Sequence, residues 1–233
     1  MTKVSTQPYK GARDFYPEDK AYQKWLFAKW RTVLERYGYV EYDAPILEPT
    51  DLYLMKGNAE IIKEQTYTFE DRGGRSVTVR TEMTPSVSRM VAGRRQELAY
   101  PLRWYSFPNL WRYERMQKGR LREFWQPNVD LFGVSSIYGE FEMLQIIDDL
   151  VQAFSADRKT YSINVNSREL VNAMLERAGV SEDEQVEVIR LVDRMKKMSA
   201  PDFSKSLIET VKSSDAVAAI QQFLNIKTVN DIP

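Results

Sequence analysis

Arg112, Glu114, Lys118, Arg120 and Arg122 crowd around a single glycine, Gly119, and are followed by Phe124, Gln126, Asn128 and Asp130. Guanidinium forks make bidentate contacts to phosphate or carboxylate, and glycine lets the backbone bend. Lys118, Arg120 and Arg122 could therefore close over an anion. Phe124, at the exit of this loop, could stack on a base. Arg112 and Glu114 on the entering arm, with Gln126, Asn128 and Asp130 on the returning arm, suggest a floor for a zwitterionic or phosphorylated ligand. A charged hairpin tip that only keeps a sheet edge soluble would give the same loop.

The composition limits what chemistry is available. The 233 residues include no cysteine and no histidine, which excludes disulfides, thiolate zinc sites, cysteine nucleophiles, histidine-based triads and imidazole metal sites. Lys plus Arg and Asp plus Glu both total 33, so no bulk positive field gathers polyanions and any anion site must be built locally. The 43% apolar fraction suits a buried core. The N-terminal stretch MTKVSTQPYKGARD has no apolar signal core, and no run approaches the roughly 20 apolar residues of a membrane span, so a cytoplasmic protein without a membrane partner is expected.

The flanking sequence predicts the scaffold. Pro17 suits a first helical position, Glu18 and Asp19 suit the positive helix end, and Gly38 suits a stop. Between them Tyr22, Leu26, Trp30, Val33, Leu34 and Tyr37 recur at helical spacing and predict one apolar face. YVEYDAPILEP at 39–49 reads as extended chain interrupted at Pro45. TYTFEDRGGRSVTVRT predicts a hairpin with strands at 66–70 and 76–80 about Gly73 and Gly74, and a helix over 84–92 follows. Strands near 102–113 and 122–133 flank the cationic loop as a second, longer hairpin. Ser135 or Ser136 is expected to cap a helix whose inward face carries Phe141, Leu144, Ile147, Val151 and Phe154. After a short β-like run at 161–166, helical patterns alone follow, at 168–177, 182–198 and in shorter pieces through Leu224. The expected fold class is α+β: an antiparallel sheet flanked by helices over residues 1–165, then a small helical region over 166–233.

Side chains alternate along a strand, so parity decides which residues share a face. Leu110, Arg112 and Glu114 oppose Trp111 and Tyr113; Phe124, Gln126, Asn128 and Asp130 oppose Trp125, Val129 and Leu131. In the first hairpin Thr78, Arg80 and Glu82 oppose Val77 and Val79. A sheet with one solvated side alternates in the same way. Asn and Asp are depleted in strands, however, and their appearance in series favours a binding floor.

WRYER, QKGRLREFWQ and VDLFG together resemble motif 2 of class II aminoacyl-tRNA synthetases in the form used by the histidyl-tRNA synthetase family. KGARDFYPED resembles that family's opening segment, and the long helix followed by GYVEYDAPILEP resembles motif 1. TYTFEDRGGRSVTVRTEMTPSVSRM resembles the family's hairpin and amino-acid-binding segment, and SINVNSRELVNAML resembles the stretch that follows this part of the core. The resemblance covers about residues 10 to 200.

It implies an enzyme that binds ATP and histidine, forms histidyl-adenylate, and passes the aminoacyl group to tRNA(His), working as a homodimer with Pro45 and the preceding helix at the twofold interface. Arg112 would be catalytic, neutralising the α-phosphate and the substrate carboxylate. Glu114 would accept from the adenine amino group, Arg120 would hold the distal phosphates, and Phe124 would stack on adenine. Glu82, Thr84 and Gln126 would bind the α-amino group of histidine, and Asp130 would accept from its imidazole. Mg²⁺ would be bound mainly through the ATP phosphates, with no protein metal site.

Some positions depart from the family pattern. Thr81 stands where proline is usual, Pro108 and Asn109 replace a Gly-Pro pair, Pro127 and Asn128 replace an apolar-Gly pair, and Asp130 is one methylene shorter than the glutamate common in bacterial members. The R-G-x-D-Y-Y-like segment, motif 3 and the anticodon-binding domain of the family do not occur before NDIP. The expectation is an N-terminal half with the start of a helical insertion and little or no aminoacylation activity by itself. A related, non-catalytic regulatory subunit of ATP phosphoribosyltransferase is the alternative, and the ATP-type residues Arg112, Glu114, Arg115 and QKGR weigh against it.

Overall fold

The structure, a computed structural model, describes residues 4–54, 65–115, 117–165 and 167–226. The chain divides into two compact units, Met1–Ile163 and Asn164–Pro233.

The first unit opens with α1 (Pro17–Arg36), which has Pro17, Glu18 and Asp19 in its first turn and Gly38 at φ +78° beyond its end. Val33 and Leu34 are buried as the spacing predicts, but Tyr22 is 67% exposed and its neighbour Gln23 is buried instead. The buried amide is satisfied there, since Gln23 Oε1 accepts from Lys20 Nζ at 2.7 Å.

The elements that follow are β1 (Val40–Glu41), β2 (Leu47–Pro49), α2 (Asp51–Leu54), β3 (Thr68–Glu70), β4 (Ser76–Val79), α3 (Thr84–Gly93), β5 (Leu102–Ser106), β6 (Asn109–Trp111), β7 (Glu123–Trp125), β8 (Asn128–Phe132) and α4 (Tyr138–Gln152). They form three small sheets, ordered β1-β5-β8, β2-β4-β3 and β6-β7. Every pair is antiparallel except β1 with β5.

The second hairpin is not two continuous strands. Ser106 pairs with Asn128 and Asn109 pairs with Trp125, so the break puts Phe107 and Pro108 against Gln126 and Pro127. Proline offers no N–H to a ladder, and a proline on each arm ends the pairing on both. In the first hairpin the parity-polar side is the inner one: Thr78 and Arg80 are buried, and Thr78 Oγ1 bonds the hydroxyls of Thr68 and Thr50.

The helix after the second hairpin corrects two expectations. Neither Ser135 nor Ser136 caps it; Ile137 is at the N-cap with no side-chain bond, and the Ser136 carbonyl accepts from Gly139 N–H. Its inward face carries Ile146 with Met143 and Leu150, packed with Leu34, Tyr39 and Tyr105, while Phe141 and Ile147 are exposed. Several apolar stripes of this helix fit a 3.6 period, and Glu142 selects among them. Its carboxylate accepts from Arg103 Nε and Nη2 at 2.9 and 2.8 Å and from Tyr39 Oη at 2.8 Å, turning that side to the sheet. The expected strand at 161–166 does not form over 161–165, and residue 166 lies outside the described residues.

The second unit is helical. Ser167 caps α5 (Arg168–Arg177), and the Glu184 carboxylate accepts from the Ser181 N–H and hydroxyl at the start of α6 (Glu182–Arg194). A 3₁₀ turn, Met195–Lys197, ends that helix short of the expected 198, and α7 (Ala200–Thr210) and α8 (Ser214–Leu224) follow. Leu175, Val188, Leu191, Phe203, Leu207 and Ile220 form its core. Among the described residues no helix is long and apolar enough to cross a membrane.

The Arg103 hydrogen bond holds the Glu142 carboxyl below its usual range, with Tyr39 adding to the effect and partial burial opposing it. A depressed carboxylate pKa stabilises the fold above the unfolded pKa, and that stability is lost as pH falls through the folded value. Glu142→Gln should therefore lower stability by about 1–3 kcal/mol at neutral pH and flatten the acid limb of the stability profile below about pH 4.5. Denaturant melts of both proteins from pH 7 to pH 3 check this.

Candidate functional site

Arg112, Glu114, Arg120 and Phe124 line one cavity of about 200 Å³ at the base of the cationic loop, with Gly119 and Leu121. The ladder explains the convergence. Leu110 pairs with Phe124, and Arg112 N–H bonds the Arg122 carbonyl at 2.8 Å, so the two arms deliver position 112 beside position 124. Gly119, at φ +79°, takes the left-handed conformation the tip requires.

The charges in this cavity are unequally matched. Arg120 Nη1 meets Glu114 Oε2 at 2.7 Å. Arg112 donates from Nε to the Thr81 carbonyl at 3.1 Å, and its guanidinium lies 5.2 Å from the Phe124 ring centroid. No carboxylate among the described residues is ion-paired with Arg112, so its positive charge is left for a ligand.

Arg122 does not join the cavity. Its guanidinium is 4.0 Å from the Tyr113 ring centroid and also bonds Tyr9 Oη at 3.2 Å and the Glu114 carbonyl at 3.3 Å. Tyr67 packs edge to face with Tyr9, Trp111 and Tyr113 beside it. The backbone completes a latch: the N–H groups of Arg122 and Glu123 both donate to the Gly11 carbonyl, at 2.9 and 3.1 Å. Gly11 sits at φ +90°, and a Cβ there would meet the Arg122 side chain at 2.7 Å. The opening segment is thus strapped to the hairpin by residues that read as phosphate ligands in the sequence.

A second cavity, of about 340 Å³, is lined by Thr84, Ser88, Asp130, Glu140 and Met143 among others. Asp130 Oδ2 accepts from Tyr42 Oη at 2.8 Å and from Asn128 Nδ2 at 2.5 Å. Burial raises the Asp130 pKa, and the bonds from Tyr42 and Asn128 pull it back. Burial raises the Tyr42 pKa as well, keeping the phenol protonated as a donor. Glu82 is half-buried and follows Thr81, the residue whose carbonyl holds Arg112. Gln126 is half-buried in the break between β7 and β8. The eight site residues that the resemblance implies thus divide, with four in the first cavity, Thr84 and Asp130 in the second, and Glu82 and Gln126 on the connecting segments.

Sequence reasoning missed Tyr42, whose ring packs 5.6 Å from Trp104 in the core while its hydroxyl serves Asp130. It also missed a chain from Trp111 Nε1 to Asn109 Oδ1 at 2.6 Å and from Asn109 Nδ2 to Glu123 Oε1 at 2.8 Å. No period or motif in the sequence marks either.

Small sheets flanked by helices in this order are the fold of the class II aminoacyl-tRNA synthetase catalytic core. The solved histidyl-tRNA synthetase of Nostoc sp. PCC 7120 has the same fold, with a TM-score of 0.84 at 21% identity, over 98% of this chain and 51% of that one. An ATP phosphoribosyltransferase regulatory subunit/histidyl-tRNA synthetase from Bacillus halodurans shares it with a TM-score of 0.77 at 20% identity, over 99% of this chain and 62% of that one. Residues 11–230 match the family model for histidyl-tRNA synthetase, and the chain belongs to that family. The histidine–tRNA ligase of Leptospira biflexa is 43% identical over 99% of this chain and 54% of its own length. The chain spans about half the length of the curated relatives it matches.

The latch predicts that Gly11→Ala costs about 1–3 kcal/mol, because it adds both a positive-φ penalty and a clash with Arg122. Thermal melting gives the loss. Hydrogen exchange should show faster amide exchange at Arg122 and Glu123, whose N–H groups lose the Gly11 carbonyl.

Proposed function

We propose that the chain carries the nucleotide- and histidine-binding half of a histidine–tRNA ligase, which joins histidine to ATP as histidyl-adenylate and passes it to tRNA(His). The observation that carries this reading is the Arg112 guanidinium, without an ion-pair partner among the described residues, in the same cavity as Glu114, Arg120 and Phe124. Arg112 would neutralise the α-phosphate as the histidine carboxylate oxygen attacks phosphorus and pyrophosphate leaves, a step that needs a fixed cation more than a proton donor. Phe124 would stack on adenine, with Glu114 accepting from its amino group. Binding would exchange the Arg120–Glu114 pair for Arg120 on the distal phosphates, so the pair would keep both side chains near their working positions in the free protein.

Glu82, Thr84 and Gln126 would take the α-amino group, and Asp130 an imidazole N–H. The cavity is lined by a single carboxylate residue, Glu114, which suits a Mg²⁺ that enters on the ATP phosphates. When bound, that ion supplies charge neutralisation on the phosphates. In this reading the first unit is catalytic core and the second the start of a helical insertion. The complete protein would be a cytoplasmic homodimer. The Bacillus halodurans likeness leaves a binding-only relative as the second reading; such a protein has no need of four nucleotide-type residues in one cavity.

ATP titration followed by tryptophan fluorescence tests the nucleotide site, with Arg112→Ala and Phe124→Ala each expected to weaken ATP binding by about 10- to 100-fold. Unchanged ATP affinity in both variants would sink the reading, and histidine-dependent ATP–pyrophosphate exchange tests the reaction itself.

A further inference from the structure

Asp130 is held on one side only. Both donors that reach it, Tyr42 Oη and Asn128 Nδ2, bond the same oxygen, Oδ2. Asn128 Nδ2 also reaches Tyr42 Oη, at 3.3 Å. The amide nitrogen can only donate, so Tyr42 accepts from Asn128 and must spend its own proton on the carboxylate. Among the described residues nothing donates to Oδ1, and the carboxylate lines the second cavity.

Sheet order explains why tyrosine fills this role. In β1-β5-β8, Val40 pairs with Trp104 and Glu41 with Tyr105, which brings Tyr42 level with Ser106, and Ser106 pairs with Asn128. Two strand spacings, about 10 Å, separate Tyr42 from β8. A small residue must lie between for a side chain to cross, and it does: Ser106 is buried and small. Tyr42 is anchored at both ends of its reach, by its N–H to the Tyr105 carbonyl at 2.8 Å and by its ring against Trp104.

We infer that Tyr42 is a specificity-determining residue that acts through Asp130. By saturating Oδ2 from across β5, it leaves Oδ1 as a single fixed acceptor for the ring N–H of an imidazole side chain. The inference rests on the reading of the second cavity as the amino-acid site. A half-buried carboxylate with one fixed open oxygen rejects a flat ring that has no N–H, because that oxygen is then left unpaired. Without Tyr42 the carboxylate can rotate, and its preference for an N–H ring falls while the nucleotide cavity is untouched.

The chain's affinities for L-histidine, for β-(2-thienyl)-L-alanine, which has a similar ring and no N–H, and for ATP provide the test, by calorimetry or ligand-observed NMR. The wild type should prefer histidine by at least about tenfold. Tyr42→Phe, which removes one oxygen, should cut that preference at least about fivefold and leave ATP affinity within about twofold. Asn128→Ala removes the other donor to Oδ2 and should move the ratio the same way, which keeps the test open if the Phe variant folds poorly. Loss of the preference in Asp130→Asn but not in Tyr42→Phe or Asn128→Ala would overturn the role of Tyr42 and leave the site reading standing. A wild type that fails to prefer histidine, or an Asp130→Asn protein that prefers it equally, would overturn the site reading and the inference with it.

Discussion

The buried guanidinium of Arg80 is the constraint on which the first unit depends. Only 3% of its side chain is exposed, and a cation so placed must have every direction satisfied. Nε donates to the Asn109 carbonyl at 2.9 Å, and Nη1 donates to Asp43 at 2.8 Å and to the Ala44 carbonyl at 2.7 Å. Its backbone adds an N–H to the Ile46 carbonyl at 2.8 Å and a carbonyl that accepts from Trp111 at 3.0 Å. One residue therefore ties the end of β4 to β6 and to the chain between β1 and β2. The three sheets share no strand, and Arg80 supplies much of what a common ladder would otherwise give.

From that anchor the site is reached by short steps. The bond from Trp111 N–H to the Arg80 carbonyl sets where β6 ends, and the next residue is Arg112. The residue after Arg80 is Thr81, whose carbonyl takes Arg112 Nε. Two adjacent residues on one segment thus fix two adjacent residues on the other, and the Arg112 guanidinium meets neutral groups, the Thr81 carbonyl and the Phe124 ring. The loop beyond is held from the opposite side by Gly11 and the aromatic cluster around Arg122. Its cations have separate tasks, Arg122 in structure and Arg120 in the cavity.

Much of this was legible in the sequence, and the parts that were not share a cause. Pro17 and Gly38 marked the ends of α1, the paired glycines marked the first hairpin, and parity put Arg112, Glu114 and Phe124 on one face, because each signal is local. Arg120 and Arg122 differ only in which tertiary partner claims them, and composition cannot show that Tyr9 and Gly11 return to meet Arg122. The helix at 138–152 carried competing apolar stripes, and Glu142 decided between them through Arg103 and Tyr39, which are distant in sequence. Pro108 and Pro127 were visible singly, but that they oppose each other follows from register alone. The β-prone residues at 161–165 had no partner strand among the described residues, and a lone strand is not a stable element.

The break at the two prolines separates the cavities, and the segment from Thr81 to Thr84 reconnects them. Thr81 holds Arg112 through its carbonyl, and Thr84 lines the cavity of Asp130. Three residues of chain span at most about 11 Å even when fully extended, so the Cα atoms of Thr81 and Thr84 lie within that distance of each other. That is the scale of an aminoacyl group joined through one phosphate to a nucleoside. Glu82 stands between them in the chain and is half-buried. The segment thereby ties Arg112, which has no ion-pair partner among the described residues, to the cavity where nothing among them donates to Asp130 Oδ1. If the two cavities hold nucleotide and amino acid as proposed, so short a tether would set the orientation of the two ligands before they react.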